Sequence, residues 1–450
     1  MLNSTPAAMN ILLLPFNAFC GRFCLFSLLL LLGVACNNPR ENKQEAGHQS
    51  ANEYGESIAL KKPFDTAPQN KYAKVLGWPE GTLPQAPEGY RVVKFADSLN
   101  SPRNVYVAPN GDVFIAQART ERSGEDDAKV DARNLFRDKS PNNILRLRDE
   151  DGDGVAETKE LFLSNLSQPY GMLILSGFFY VANTDGLVRY PLNEFTGDIQ
   201  DTNGEKLVEL PAGGYNNHWT RNLATNKDGS KIYITVGSAG NAGEDGMERE
   251  VRRAAVLEID PDGSNECIYA FGLRNPVGLA FEPSSEKLWT AVNERDELGD
   301  ELVPDYITSV RSGGFYGWPY SYWGKHVDPR WEGRLPDSLV HRAITPDYAL
   351  GSHTASLGLA FSVHPKFDEG AYIGQHGSWN RSELVGYQVL YVPFEAGVPA
   401  GDAEPFLEGF IADREKGDVY GRPVAVTFTD DYLLVTDDAA NVVWAVIPEA

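Results

Sequence analysis

The chain has 450 residues, of which 42% are hydrophobic, 11% aromatic and 23% charged, a balance that excludes disorder as the main state and leaves room for up to three domains or one large repetitive one. Its 63 acidic residues against 40 basic ones give a net charge of −23, a field that repels nucleic acid and anionic membrane surfaces and so argues against a nucleic-acid partner. The 43 glycines and 28 prolines suit many short strands joined by tight turns, which points to an all-β fold.

In chain order, the first predicted element is an export signal over residues 1–35. Arg22 precedes an apolar run from Leu25 to Ala35, and Cys36 follows small residues. A short apolar core with small residues suits a signal peptidase, and a thiol at the first mature position suits diacylglyceryl transfer. The stretch therefore resembles a bacterial lipoprotein signal, with Cys36 as the lipidated residue and a lipid anchor as the only contact with the membrane. The match departs from the usual pattern, since Leu32 lies four residues before the cysteine and Gly33 fills the slot that prefers leucine. A plain secretory signal and an uncleaved anchor are the alternatives, although the run is shorter than the ~20 residues a spanning helix needs.

Cysteine usage agrees with export and lipidation. Cys20 and Cys24 leave with the signal, Cys36 takes lipid and Cys267 stays alone, so no intrachain disulfide framework is available. The mature chain carries 39 basic and 63 acidic residues, or −24. Residues 36–85 are polar and broken by proline, which predicts a flexible tether.

Residues 86–450 are organised by six similar phrases, beginning at Arg103, Gly171, Arg221, Gly278, Gly358 and Val424. Each reads as a short alternating strand, a Pro/Asp/Gly-type turn and a second strand rich in β-branched and aromatic residues, which is a hairpin signal. The starts are 68, 50, 57, 80 and 66 residues apart, room in each case for a four-stranded sheet plus loops. Such recurrence predicts a six-bladed β-propeller, whose variable loops on one face build the site. A pair of β-sandwiches is the alternative.

Within the first repeat, Asp149-Glu150-Asp151-Gly152-Asp153-Gly154 followed by Glu160 fits the spacing of an EF-hand calcium loop. The flanks, Asn143–Leu147 and Glu160–Leu163, read as strands instead of helices, so the segment is expected to be a hairpin loop within a blade. Asp149, Asp151 and Asp153 are candidate ligands of a structural calcium; an ordinary Asp/Gly turn is the alternative.

Six of the seven histidines lie at or after position 218, and His218, His353 and His376 fall in polar, Gly-rich contexts. His218, at the opening of the third repeat, is a candidate general base or a structural hydrogen-bonder. Arg274, in the run Arg274-Asn275-Pro276 before the fourth repeat, suits bidentate binding of a carboxylate or a surface ion pair. The loop Asn293–Leu302 holds five acids and a glycine, a composition that suits a hard cation such as calcium. It is followed by Tyr316-Gly317-Trp318-Pro319. Further on, Gly377-Ser378-Trp379-Asn380-Arg381 sets amide and guanidinium donors beside an aromatic face, a group that can clamp a planar anion.

In this order, from about Leu99 to Trp444 and ending with Tyr420-Gly421-Arg422-Pro423, these segments resemble the quinoprotein sugar dehydrogenases, in particular the glucose/sorbosone and pyranose dehydrogenase branches. The resemblance implies a six-bladed propeller carrying pyrroloquinoline quinone (PQQ) flat on one face, with the quinone on calcium and its carboxylates on arginines. It aligns His218 with the catalytic base, Arg274 with a catalytic and cofactor-side group, and Asn275 with a cofactor- and substrate-side one. Asp296 and Glu297 fall where backbone carbonyls reach the PQQ calcium. Asn380, Arg381 and Arg422 align with cofactor-binding residues, and His353 and His376 with the lining of the face. The implied reaction is hydride transfer from a sugar or an aldehyde to the quinone, with His218 taking the hydroxyl proton and calcium and Arg274 polarising the acceptor.

One departure stands out. The glucose-oxidising relatives orient the base with an aspartate after this strand, whereas here Gly237 is followed by Ser238; a loop acid such as Glu244 as substitute, or a weakened base, is expected. The sequence has no Cys-x-x-Cys-His haem site, so electrons are expected to leave to an external acceptor such as a cytochrome. The expected location is the bacterial cell envelope, lipid-anchored and periplasmic or surface-facing. The competing functions are a calcium-dependent lactonase and a non-catalytic surface propeller that binds glycans or proteins.

Overall fold

The computed structural model describes residues 53–121, 139–193, 195–213 and 217–449. The expected signal, Cys36 and the first part of the expected tether lie outside these residues. Among the described residues, no helix is long and apolar enough to cross a membrane.

Six antiparallel sheets follow one another along the chain, and each contains a four-stranded meander. Blade 1 is built from Pro102–Val107, Val113–Gln117, Asn143–Arg148 and Thr158–Leu163. Blade 2 uses Gly171–Leu175, Phe178–Asn183, Gly186–Asn193 and Glu205–Glu209. Blade 3 uses Leu223–Thr225, Ile232–Val236, Ala255–Ile259 and Cys267–Phe271. Blade 4 comprises Pro276–Phe281, Leu288–Val292, Pro304–Ser309 and Tyr348–Ser352. Blade 5 comprises Ala360–Phe361, Gly370–Gln375, Gln388–Glu395 and Glu404–Leu407. Blade 6 takes its three inner strands from the C-terminus, Pro423–Phe428, Leu433–Asp437 and Val442–Pro448, and its outer strand from Tyr90–Ala96. That pairing closes the ring with both ends of the domain, which removes the open sheet edges of a linear array.

The core is divided among the blade interfaces. Separate apolar clusters lie between blades 1 and 2, 2 and 3, 3 and 4, 4 and 5, 5 and 6, and 6 and 1. A seventh, at the axis, takes one residue from each blade: Ala118, Tyr170, Trp219, Val277, Leu357 and Val424. Because every blade is covered on both faces, second strands such as Val113–Gln117 and Ile232–Val236 are buried at every position. They read as continuous apolar runs, unlike the alternation expected of a half-exposed hairpin.

Glycine at the head of the inner strands has a packing reason. A Cβ on Gly171 would sit 2.7 Å from the Arg221 carbonyl and the Leu223 amide of blade 3, and one on Gly278 would sit 2.9 Å from the Leu359 amide of blade 5. Inner strands of neighbouring blades converge there, and a side chain would strike rigid backbone.

The stretch 53–85 departs from the loose tether expected of it. Tyr54–Gly55 adds a strand to the outer edge of blade 4, and Lys74–Val75 runs parallel to Asp418–Val419. Trp78 donates from Nε1 to Asp437 at 2.9 Å and packs edge-on against Trp444. Tyr72 stacks on Trp379, ring centroids 5.9 Å apart. The polar composition that suggested a tether instead supplies side-chain and backbone hydrogen bonds to the loops beneath.

Candidate active site

Topology gathers the site. In each meander, the entry to the first strand and the connection from second to third strand fall at the same end of the blade. His218, Arg274, Asn275 and Arg422 precede first strands, and Ser238, Asp296, His376 and Arg381 follow second strands, so all belong to one face. The Asp149–Glu157 loop joins third and fourth strands and lies at the opposite end.

His218 is fixed through Nδ1, which lies 2.9 Å from Ser238 Oγ and 3.1 Å from the Ser238 carbonyl. The hydroxyl donates its own hydrogen to the Gly240 carbonyl at 2.6 Å. Both partners therefore accept, Nδ1 carries the proton, and Nε2 keeps a free lone pair. Burial first, and then the charge of Arg274, push the imidazole from its ordinary 6.5 down to about 3. The ring is a neutral acceptor. Glu244, the expected substitute for the missing aspartate, is turned back on its own loop, accepting from the Asn241 and Ala242 amides at 2.7 and 2.6 Å. Ser238 orients the base instead. Gly237 makes room for this, since a Cβ there would lie 2.6 Å from His218 Cβ and collide with Asn275 Oδ1.

Arg274 is buried, and protein acceptors surround its guanidinium. Nε donates to the Asn241 carbonyl at 3.2 Å, Nη1 to the carbonyls of Asn293 and Glu294 at 3.1 and 2.6 Å, and Nη2 to Asn241 Oδ1 and Asp296 Oδ2 at 2.9 and 2.8 Å. All five N–H groups are spent, so in this arrangement Arg274 reaches the reaction through its charge and not through a free donor. Asn275 differs: its Oδ1, beside His218, is buried without a hydrogen-bond partner among the described residues. Such an acceptor suits a donor from a bound ligand.

Asp296 joins Arg274 to His353, whose Nδ1 lies 3.3 Å from Asp296 Oδ1 while its Nε2 donates to the Gly299 carbonyl at 2.8 Å. Burial pushes the Asp296 carboxyl up, but Arg274 and His353 outweigh it and hold the group below its usual range. The Asp296 carbonyl, an expected calcium ligand, already accepts from Asn241 Nδ2 at 3.2 Å and from the Arg295 guanidinium. A cation does not fit that carbonyl while Arg295 points at it. Glu297 has φ +71 and donates its amide to Asn380 Oδ1 at 2.7 Å.

Of the remaining expected cofactor groups, Arg422 and Arg381 both keep N–H groups without an acceptor among the described residues, and Asn380 keeps none. Arg422 holds the carbonyls of His376 and Gly377 with Nε and Nη2, both at 2.9 Å, and its Nη1 has no acceptor among the described residues. Arg381 grips the Glu53 carboxylate with Nη1 and Nη2 at 2.9 and 3.1 Å. Asn380 spends both amide hydrogens on the Gln69 carbonyl and Asn70 Oδ1, at 3.0 and 2.8 Å. His376 bonds Asp438 at 2.8 Å, and Asp438 pairs with Arg103, which lies 5.7 Å from the centroid of the Trp219 ring. Burial and the Arg422 charge push His376 down to about 3.

Four contributors went unnoticed in the sequence. Asn241 is the hub between Arg274, Asp296 and Trp318, whose Nε1 donates to its carbonyl at 2.9 Å. Arg103 and Asp438 line the blade 1 and 6 side, and Glu53 reaches in from the N-terminal segment. Only Arg103 opened a repeat phrase; the others had no local signal.

The carboxylates of Asp149, Asp151, Asp153 and Glu157 converge, each offering an oxygen within 4.8 Å of the others. The fourth acid is Glu157, because Glu160 lies in the following strand and pairs with Arg146 at 2.6 Å. Tyr432 of blade 6 donates to Asp149 Oδ2 at 2.7 Å.

A family model described as glucose/sorbosone dehydrogenase matches residues 184–336, and one described as TrAA12-like matches residues 333–448. A PQQ-dependent pyranose dehydrogenase of Coprinopsis cinerea is 22% identical over 355 residues, 68% of this chain, and the chain spans 44% of that relative's length. An uncharacterised protein of Borreliella burgdorferi is 28% identical over 299 residues, which are 63% of this chain and 76% of that one. Among solved structures, the holo PQQ domain of the Coprinopsis cinerea pyranose dehydrogenase superposes with a TM-score of 0.67 at 18% identity, covering 84% of this chain and all of that one (100%). A calcium structure of a Trichoderma reesei carbohydrate-active enzyme of family AA12 gives 0.68 at 19% identity, covering 84% and 99%. At these identities the structural likeness carries the fold.

Proposed function

We propose that this chain is a member of the PQQ-dependent sugar dehydrogenase family, which its matches to the glucose/sorbosone dehydrogenase model and a pyranose dehydrogenase support, and that it oxidises a sugar or aldehyde at the face bearing His218, with PQQ and calcium as cofactors. The observation that carries the reading is the His218 tautomer: a half-buried neutral imidazole with its proton on Nδ1, beside Asn275 Oδ1, which has no hydrogen-bond partner among the described residues. A base and an adjacent acceptor suit a hydroxylated substrate, since one takes the reacting proton and the other accepts from a second hydroxyl.

The donor set fits an anionic planar cofactor on one side. Arg422 would hold a carboxylate through Nη1. Arg381 already holds a carboxylate in the fork geometry such a group needs, but the carboxylate is Glu53. When bound, PQQ would supply the two-electron acceptor, with a carboxylate on Arg422; calcium would supply Lewis acidity to polarise it once Arg295 leaves the Asp296 carbonyl.

The chain's own part is proton handling and orientation. His218 Nε2 takes the proton of the substrate hydroxyl while Nδ1–H stays on Ser238. Burial makes the resulting imidazolium costly, and Asp296 is the anion whose field favours it. Arg274 keeps the ring neutral beforehand and holds Asp296 in place.

The same reading has Cys36 lipidated in a bacterial envelope, and electrons passing to an external acceptor such as a cytochrome, for which the acidic surface favours a basic partner. Against a calcium-dependent lactonase, the four converging carboxylates lie at the opposite end of the propeller from His218. The test is dye reduction by a panel of aldoses with PQQ and calcium added. Turnover that requires both additions and is lost in His218→Gln supports the proposal, whereas lactone hydrolysis with calcium alone, or no turnover on any aldose or aldehyde, contradicts it.

A further inference from the structure

We infer that residues 53–72 form a strap that positions the Asp296–Asp300 loop, and that Arg381 and Asn380 serve the site by anchoring this strap instead of by touching the cofactor. The inference rests on the proposed function only for what the loop is positioned to do.

The loop has no sheet of its own, and its backbone is held from outside. The Glu297 amide donates to Asn380, the Leu298 carbonyl accepts from the Phe64 amide at 2.7 Å, the Gly299 carbonyl accepts from His353, and the Asp300 amide donates to Thr66 Oγ1 at 2.8 Å. Two of these four ties come from the strap directly. A third comes through Asn380, whose own amide hydrogens are fixed by Gln69 and Asn70 of the strap. Gly299, at φ +119, matches this contact, since a Cβ there would lie 2.9 Å from the Thr66 carbonyl.

The strap is pinned at both ends. At one end Glu53 is clasped by Arg381 through two parallel hydrogen bonds, the next residues pair with Tyr348–Ser352, and Tyr54 packs over Gly351, where a Cβ would lie 2.6 Å from its hydroxyl. At the other end the Lys71 amide donates to the Trp379 carbonyl at 2.8 Å and Tyr72 stacks on the Trp379 ring. The loop carries Asp296, which Arg274 and His353 both use. Loosening the strap therefore reaches the active face without removing any group that contacts the substrate. A fork-to-fork pair that is largely screened from water is strong enough to act as this pin.

The experiment compares wild type, Glu53→Gln, Arg381→Ala, the double variant and the charge exchange Glu53→Arg with Arg381→Glu. Amide exchange over residues 296–300 and 64–72 is read first, and PQQ affinity in calcium second. The strap predicts faster exchange in both stretches for either single variant, PQQ affinity reduced roughly tenfold in each with no further loss in the double variant, and partial recovery in the exchange. Unchanged exchange over 296–300 in Glu53→Gln overturns the inference. So does an Arg381→Ala that weakens PQQ binding while Glu53→Gln leaves it alone or tightens it, because Arg381 would then meet the cofactor itself. If wild type binds no PQQ, the proposed function fails, while the exchange data still decide the strap.

Discussion

Two acceptors on Ser238 are enough to decide where the proton of His218 sits. Replacing the imidazole removes the base, and His218→Gln is expected to lower kcat by about 10²–10⁴-fold while PQQ binding persists, a split that calorimetry and dye reduction measure together. Ser238→Ala keeps the carbonyl but loses the hydroxyl, so a smaller fall of roughly tenfold is expected. With its pKa near 3, His218 stays neutral through mild acid, and the acid limb of kcat/KM attributable to it is expected only below about pH 5. The linkage runs the same way: the unfolded ring protonates below its ordinary 6.5 and the folded ring only near 3, so stability falls as pH drops through that window. His218→Gln is expected to shrink the difference between the denaturation midpoints at pH 7 and pH 4.5. The place of His218 on this face was legible because it lies just before the third repeat phrase, whereas Ser238 was noticed only as a missing aspartate and Glu244 was expected in its role. Asn241 was not legible, because its role exists only once the loop after the second strand of blade 3 folds back under Arg274.

Loops and strand heads behave as units at the next scale. Gly278 is expected to resist substitution, since a Cβ there meets the Leu359 amide and the Leu357 carbonyl at 2.9 and 3.0 Å; Gly278→Ala should cost about 1–3 kcal/mol in denaturant titrations. The Asp149–Glu157 loop, proposed to hold a structural calcium, bridges blades 1 and 6 through Tyr432. Calcium is expected to raise Tm in wild type but not in an Asp151→Asn, Asp153→Asn variant, and an equal rise in both would remove the proposal. Its three aspartates were readable from spacing alone, whereas Glu157 was not, and Glu160, which completes the EF-hand spacing, is carried away to Arg146 by the strand that begins at Thr158. The segment 53–85 was misread for a related reason. Its bonds run to loops far along the chain, and no local periodicity marks a segment whose order is borrowed.

Across the whole molecule, six repeat phrases correspond to six blades because each phrase is the inner hairpin of one sheet. Their uneven spacing has a local origin. The longest interval, 80 residues from Gly278 to Gly358, holds the excursion between the third and fourth strands of blade 4 that carries Trp318 to Asn241. If Cys36 is lipidated as proposed, only 16 residues separate it from Glu53, so the anchor reaches at most about 60 Å from the strap. The central claim, a quinone-binding face beside His218, is tested most directly by calorimetric titration of calcium-loaded mature protein with PQQ, run beside Arg422→Ala. Saturable binding that needs calcium and weakens in the variant is the predicted result, and absence of binding by the wild type with calcium present would contradict it.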